Sequence, residues 1–383
     1  MDTDRGEAPG RMIYLDYQAT TPVAPEVAAA MRPWIDTNFG NPHSSHRPGR
    51  EAAAVIAVAR ERVLGLLGGT GRLYFTSGAT EATNWALKGA ASRLPPAKRK
   101  IVTLGTEHAC VLDTVQWLGT QGFEIDILPV RPDGLVDLDL LASRVDADTG
   151  LVAAMLVNNE IGVIQPLVEI SAIARRNEAI FFCDAVQGIG RVPLPLDACD
   201  MVAVSAHKIH GPKGIGALWL RQGVEIDPLL HGGGQEGGIR SGTLSPALCV
   251  GFGEAARLMS DRREIDHAHV ERLWAKALVP LGEHWQLNGS ALHRYRGNLN
   301  IRSEGLDSAR LISELRQLAF SSGSACASGS GRPSHVLSSL GLSDREARSS
   351  IRIGFGRYTS EEELVPALTI IQNAAGRQRS FAA

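Results

Sequence analysis

Several apolar runs in this 383-residue chain end in residue types able to do chemistry. Met201–Val204 reads as a buried strand. It is followed by Ser205, His207 and Lys208, and then by a Gly/Pro-rich turn, Gly211–Gly216. A lysine buried as a cation is costly. Desolvation lowers its pKa and makes the neutral amine a nucleophile. The obvious reaction of such an amine is a Schiff base with an aldehyde cofactor, above all pyridoxal 5'-phosphate (PLP). Taken alone, Lys208 also fits a solvated turn residue. Thr76-Ser77-Gly78-Ala79-Thr80-Glu81 follows another apolar run and opens a helix. Its small residues let the backbone N–H groups around Ala79 and Thr80 approach an anion, and a helix N-terminus favours negative charge. The plain alternative is a helix capped by Ser77 or Thr80. Asp184, just past Ile180–Cys183, could keep a pyridine nitrogen protonated and so make a bound ring an electron sink. Gln187 could bond the ring hydroxyl; alternatively Asp184 is a cap. His108, after Lys100–Leu104, could lie over a planar ring and move protons, or be a hydrogen-bonded, partly buried histidine. Asn159, after Leu151–Val157, could touch the ring hydroxyl or the substrate, or simply form a turn.

The elements that must position these residues are short apolar strands separated by amphipathic helices. That pattern predicts an α/β fold with a mainly parallel sheet covered on both faces. Ligands of such sheets bind at the carboxyl ends of strands, where all these groups fall. Strands are expected at 12–16, 72–75, 100–104, 123–128, 151–157, 180–183, 201–204 and 215–220. Leu244–Leu278 reads as a long, broken helix leading to a smaller α+β domain. The expected division is a large cofactor-binding domain over 13–255 and a small domain over 256–383, with residues 1–12 disordered or packed nearby. Hydrophobic residues make up 44% and charged residues 21%, an ordinary globular balance. A formal net charge of −2 gives no basic field for nucleic acid. No run approaches the ~18 apolar residues of a membrane span. The N-terminal stretch lacks a signal-peptide pattern, and five scattered cysteines argue for a reducing cytoplasm over a disulfide framework or zinc site. No metal site is expected.

An anion cradle, a carboxylate, a planar-ring partner and a nucleophilic lysine at strand ends of one sheet make one cofactor site. With Asp184-Ala185-Val186-Gln187, Ser205-Ala206-His207-Lys208, Gly78-Ala79-Thr80-Glu81 and Asn158-Asn159-Glu160-Ile161-Gly162, the chain resembles the cysteine desulfurases of the IscS/NifS type, in the class V aminotransferase family of fold type I PLP enzymes. Tyr14–Pro22, Arg240-Ser241-Gly242-Thr243 and Ser321–Cys326 match as well, so the resemblance covers about residues 12–375. It implies that Lys208 carries the cofactor and that Ala79, Thr80, Ser205 and His207 bind its phosphate. Thr243 would reach the phosphate of the neighbouring subunit in a homodimer. Asp184, Gln187 and Asn159 would hold the ring, with His108 stacked on it. Arg352 would grip the substrate carboxylate, a role that suits a planar guanidinium. Cys326, in a Ser/Gly-rich segment, would take sulfur from L-cysteine as a persulfide, leaving L-alanine. An acceptor such as an iron–sulfur scaffold or a sulfurtransferase, or the thiolation of tRNA, would follow. Selenocysteine lyase or another class V lyase or transaminase is the enzymatic alternative; a PLP-retaining scaffold-binding protein is the non-enzymatic one. Cys110, Cys183, Cys199 and Cys249 are expected to be packing residues. Gly237 stands where many relatives carry an arginine, and the C-terminus lacks the longer tail with which housekeeping members dock a scaffold.

Overall fold

The structure, a computed structural model, describes residues 12–323 and 333–382. It begins with a two-residue strand, β1 (Ile13–Tyr14), and two helices, α1 (Pro25–Asp36) and α2 (Arg47–Leu67). Strands and helices then alternate: β2 (Arg72–Thr76), α3 (Ala79–Ala91), β3 (Lys100–Leu104), α4 (Ala109–Thr120), β4 (Glu124–Leu128) and α5 (Leu138–Arg144). They continue with β5 (Thr149–Met155), α6 (Leu167–Arg176), β6 (Ile180–Asp184), β7 (Met201–Ser205) and β8 (Gly216–Leu220). Strands β2–β8 form a seven-stranded sheet in the order β2-β8-β7-β6-β5-β3-β4. Only β8 runs against its neighbours, β2 and β7; the other pairings are parallel. Strands β3, β5, β7 and β8 are buried throughout. Helices cover both faces, which is why these strands read as continuous apolar runs. The expected α/β fold is the observed one.

Two helices follow, α7 (Pro246–Asp261) and α8 (Arg263–Leu278), so the expected long helix breaks at Arg262. Next come β9 (Gln286–Leu287), β10 (Asn298–Arg302), α9 (Ser308–Glu314) and β11 (Leu318–Ala319). The chain closes with α10 (His335–Ser339), α11 (Asp344–Arg348), β12 (Ser350–Gly354) and α12 (Glu361–Ala382). Antiparallel β12-β10-β9 forms a second sheet. Strand β1 pairs in parallel with β11, and Leu15 packs with Leu299, Ile351 and Phe355 in that part's own apolar cluster. The expected boundary at 255 falls inside α7, whose Ala256, Leu258 and Met259 pack in the large sheet's cluster. Helix α11 escapes a sequence reading because it is one turn long. It is closed by a capping box between Ser343 and Glu346. Among the described residues no helix is long and apolar enough to cross a membrane.

Helix α7 lies on α2 at a point of backbone contact. A Cβ on Gly253 would stand 2.6 Å from the Cα of Ala59, so the helices can approach this closely only with glycine there. At Gly65, near the end of α2, an added Cβ would meet nothing within 4 Å. Gly253→Val should therefore lower the thermal unfolding midpoint, by about 1–3 kcal/mol of stability. Gly65→Ala should raise it slightly, by roughly 0.5–1 kcal/mol, because alanine loses less backbone entropy in a helix. Equal midpoints for wild type and Gly253→Val would refute this packing.

Candidate active site

The strand ends of the large sheet open into a cavity of about 390 Å³. Its walls include Ala79, Thr80, His108, Asn159, Asp184, Gln187, Ser205, His207, Lys208 and Arg352. Ten of the twelve residues singled out in the sequence thus meet around one space. Thr243 does not line it and is exposed. Cys326 lies outside the described residues.

Lys208 ends a single 3-10 turn, Ala206–Lys208, directly after β7. Its Nζ donates to two backbone carbonyls, Gln18 O at 2.6 Å and Ala19 O at 2.7 Å. Burial, then the nearby Arg191 and Arg352 guanidinium groups, push its pKa down to about 8. The same loop, Asp16–Thr21, fixes three other site residues. Thr20 Oγ1 lies 3.1 Å from His207 Nδ1, and Asp16 Oδ1 accepts from Arg352 Nη2 at 2.7 Å. Gln18 O also takes Gln187 Nε2 at 2.8 Å.

His207 is pushed down to about 4 by burial and by Lys208 and Lys213, so it is neutral near pH 7. A neutral imidazole donates from one nitrogen only. In the tautomer in which Thr20 donates to Nδ1, the Nε2–H is free for an anion. Gln187 is oriented by Arg191, which must donate to its Oε1, at 2.8 Å. That fixes Nε2 on the side of Gln18, and an amide nitrogen has a second hydrogen to give. His108 is the N-cap of α4, its Nδ1 accepting from Cys110 N at 3.2 Å, so in the neutral ring Nε2 carries the proton. Asp184 is buried, and its Oδ1 accepts from Val186 N at 2.9 Å. Burial raises its pKa against the pull of His108 and Lys208.

Arg352, on β12, is 1% exposed and gives Nη1 to Asn159 O at 3.0 Å; its Nε has no partner. The guanidinium therefore keeps unspent donors beside the cavity. Sequence reasoning missed Gln18, Ala19, Thr20, Arg191 and Asp16. Three act through backbone carbonyls or a lone hydroxyl, which no residue type advertises. It also missed Glu107, which is fully buried. Its Oε1 accepts from Met155 N at 2.8 Å, and burial, with Asp184 adding to it, holds its carboxyl well above the usual range. The thiols of Cys110 and Cys183 are likewise pushed up by burial, and Cys249 to about 12, which suits packing residues rather than nucleophiles.

Residues 13–365 match the family described as aminotransferase class-V, and the chain belongs to that family. Within it, the chain is 45% identical over 378 residues to the cysteine desulfurase IscS of Rickettsia bellii (strain OSU 85-389), covering 96% of this chain and 92% of the relative. It is 44% identical to the cysteine desulfurase IscS of Rickettsia rickettsii (strain Iowa), with the same coverage. Among solved structures, a NifS-like protein superposes with a TM-score of 0.89 at 35% identity, covering 96% of this chain and all of that one. SspA in complex with cysteine superposes at 0.81 with 34% identity, covering 91% of this chain and 100% of that one.

Class V aminotransferases use PLP, and the cavity suits it. One end presents the unsatisfied N–H groups of the thirteen-residue helix α3 beside Ser205 and the neutral His207, a donor set for a phosphate. Asn159 Oδ1 is buried without a hydrogen-bond partner, an acceptor in want of a hydroxyl. A protonated ring nitrogen would stabilise the buried Asp184 carboxylate. Only the neutral Lys208 amine attacks an aldehyde. The rate at which apoprotein captures added PLP, read from the visible absorbance that develops, should therefore rise with pH and level off above about 8, not 10.5. A rate still climbing at the ordinary lysine pKa would contradict the burial described for this amine.

Proposed function

We propose that this chain is a PLP-dependent cysteine desulfurase that converts L-cysteine to L-alanine and takes the sulfur on Cys326. The observation that carries the reading is the meeting of two groups at one cavity: a desolvated lysine at the end of β7 and an unspent guanidinium on β12. Enzymes that are 44–45% identical over 96% of the chain carry the same activity in their names.

In this reading Lys208 holds the cofactor covalently. Ala79, Thr80, Ser205 and His207 bind its phosphate, Asp184 and Gln187 fix the ring, and His108 lies over it. Bound there, the cofactor supplies an electron sink that acidifies the substrate's Cα–H. Arg352 receives the substrate carboxylate on its free N–H donors, with Asn159 beside it. Asp16 keeps the guanidinium from turning. Lys208, with its lowered pKa, is the base that takes the Cα proton. His108 lines the same pocket and can donate a hydrogen bond from its Nε2–H there. The Cys326 thiolate then bonds to the substrate sulfur while the Cβ–S bond breaks. In balance, a protein thiol and L-cysteine give a protein persulfide and L-alanine.

The segment that holds Cys326 leaves the described structure next to the substrate side. Ser321 exchanges backbone hydrogen bonds with Arg352, from Ser321 N to Arg352 O at 3.2 Å and from Arg352 N to Ser321 O at 2.6 Å. Ser77, Thr80 and Thr243 are exposed. A homodimer in which Thr243 completes the partner's phosphate site accounts for both an open phosphate end and an unused threonine. The persulfide would pass to an acceptor protein such as an iron–sulfur scaffold or a sulfurtransferase. A cytoplasmic setting, where thiols stay reduced, suits a persulfide carrier. We place the division of the chain near the α7–α8 joint, with the cofactor held by the first part and Arg352 and Cys326 supplied by the second.

Purified protein incubated with L-cysteine and an added thiol reductant, which reduces the persulfide back to the Cys326 thiol and frees its outer sulfur as sulfide, should yield alanine and sulfide in equal amounts. Cys326→Ser should keep the visible absorption of the bound cofactor and release no sulfide, and Lys208→Ala should lose that absorption. Full sulfide release by Cys326→Ser would sink the mechanism. Alanine formed without a persulfide on Cys326 would favour the lyase reading instead.

A further inference from the structure

The turn that presents His108 is gripped at its carbonyls. Residues 105–107 connect β3 to α4, and Thr106 and Glu107 are buried. Glu107 O lies 2.9 Å from His335 Nε2, and Thr106 O accepts from Asn158 Nδ2 at 2.8 Å. Ser339 Oγ lies 3.0 Å from Gly105 O and 2.8 Å from His335 O, so its one hydrogen is shared between them. Three successive carbonyls thus face three side-chain donors, two of them on α10.

The donors are themselves fixed. Asn158 Oδ1 accepts from Glu160 N at 2.8 Å and from Ile161 N at 2.9 Å, which turns its Nδ2 toward Thr106. A carbonyl only accepts, so His335 Nε2 carries a proton. Helix α10 is capped by Ser334, and its Val336 and Leu337 pack in the large sheet's apolar cluster. The turn is also held from β3 and β5: Glu107 N donates to Leu104 O at 3.1 Å, and the Glu107 carboxyl takes Met155 N at 2.8 Å.

The His108 ring has little else to place it. Among the described residues it makes one hydrogen bond, the Nδ1 contact that caps α4. A cap fixes the ring against the start of its helix, and the turn before it decides where that start lies. Buried carbonyls need donors, but backbone N–H groups can serve as well as side chains. Donors from the end of β5 and from α10 do more, because they set the turn against the strand that leads to Asn159 and against the part of the chain that carries Arg352. We propose that His335, with Asn158 and Ser339 beside it, is a positioning residue that sets the His108 imidazole over the cofactor site through the carbonyls of residues 105–107. The inference rests on the reading that places His108 over the PLP ring. A group that acts on a ring by lying over it loses its effect when it is displaced by a fraction of its own size.

The test uses PLP-loaded protein and the visible circular dichroism of the bound cofactor, which reports the surroundings of the ring and needs no turnover. His335→Ala should hold PLP to within about 2-fold of wild type, while the dichroic band falls by about half and kcat for alanine formation by about 5-fold or more. His335→Gln, whose amide N–H reaches toward the same carbonyl, should recover most of both. In a His108→Ala background, His335→Ala should change the band no further, because a residue that acts only through His108 has nothing left to act on. A wild-type band in His335→Ala overturns the proposal. So does an equal loss of band with and without His108, which is the mark of a general structural defect. Should His335→Ala fail to fold, His335→Asn, whose shorter amide falls short of Glu107 O, takes its place, and a wild-type band there overturns the proposal as well. A wild type that binds PLP but forms no alanine from L-cysteine overturns the desulfurase reading alone, since the band comparison uses no substrate. An active wild type with indifferent variants overturns the inference alone.

Discussion

The amine of Lys208 is held at the end of a buried strand by two backbone carbonyl oxygens, and most of the site follows from that. Gln18 O and Ala19 O are good acceptors but poor counter-charges. The positive charge that the amine would carry is opposed by burial and by two guanidinium groups, so its pKa falls to about 8. The loop that supplies these carbonyls must itself be rigid. Tyr14 Oη reaches Thr20 O at 2.9 Å across it, and Thr21 N donates to His207 O at 2.9 Å. The loop thus returns against the turn that carries the lysine. Because β1 precedes it and pairs with β11, the loop also ties the large sheet to the strand system of Arg352.

The protonation states around the cavity form a consistent set. His207 is neutral and can donate a hydrogen bond without repelling Lys208. Glu107, buried beneath the His108 turn, is held well above the usual carboxylate range, so it adds no full negative charge close to Asp184. Asp184 remains the carboxyl with the most to gain from a cationic partner, since burial alone pushes its pKa up. A cofactor that carries an anionic phosphate and a protonated ring nitrogen therefore matches a cavity lined by both N–H donors and a desolvated carboxylate.

Much of this is legible in the amino-acid sequence. Strand ends can be found because buried parallel strands are apolar throughout, and the polar residues that break them lie where ligands bind. Lys208, Asp184, His108 and the α3 N-terminus are readable on that ground. The loop Asp16–Thr21 is visible as a motif but gives no hint of its role, since carbonyl oxygens belong to every residue type. Glu160 shows no role in the sequence because Ser334, which donates to its buried carboxyl, comes from the far side of the chain. Strand β1 can be placed at 12–16 but not assigned to a sheet, because two residues carry no periodicity. Helix α12 runs to Ala382, straight through Gly376, because a lone glycine weakens a helix without ending it.

Two independent strand systems contribute to one reaction, and the interface between them decides its geometry. The large sheet brings the ends of β5, β6 and β7 to the cavity, and β12 brings Arg352, the group proposed to take the substrate's carboxylate. If the two moved independently, the Cα–H would not stay in line with Lys208. Arg352 helps to remove that freedom: its backbone lies in the second sheet, one guanidinium nitrogen bonds Asn159 O after β5, and the other bonds Asp16 in the loop over Lys208. The residue proposed to recognise the substrate is thus also one of the ties between the sheets. Its loss would remove both the carboxylate's partner and the register in which the lysine meets the substrate.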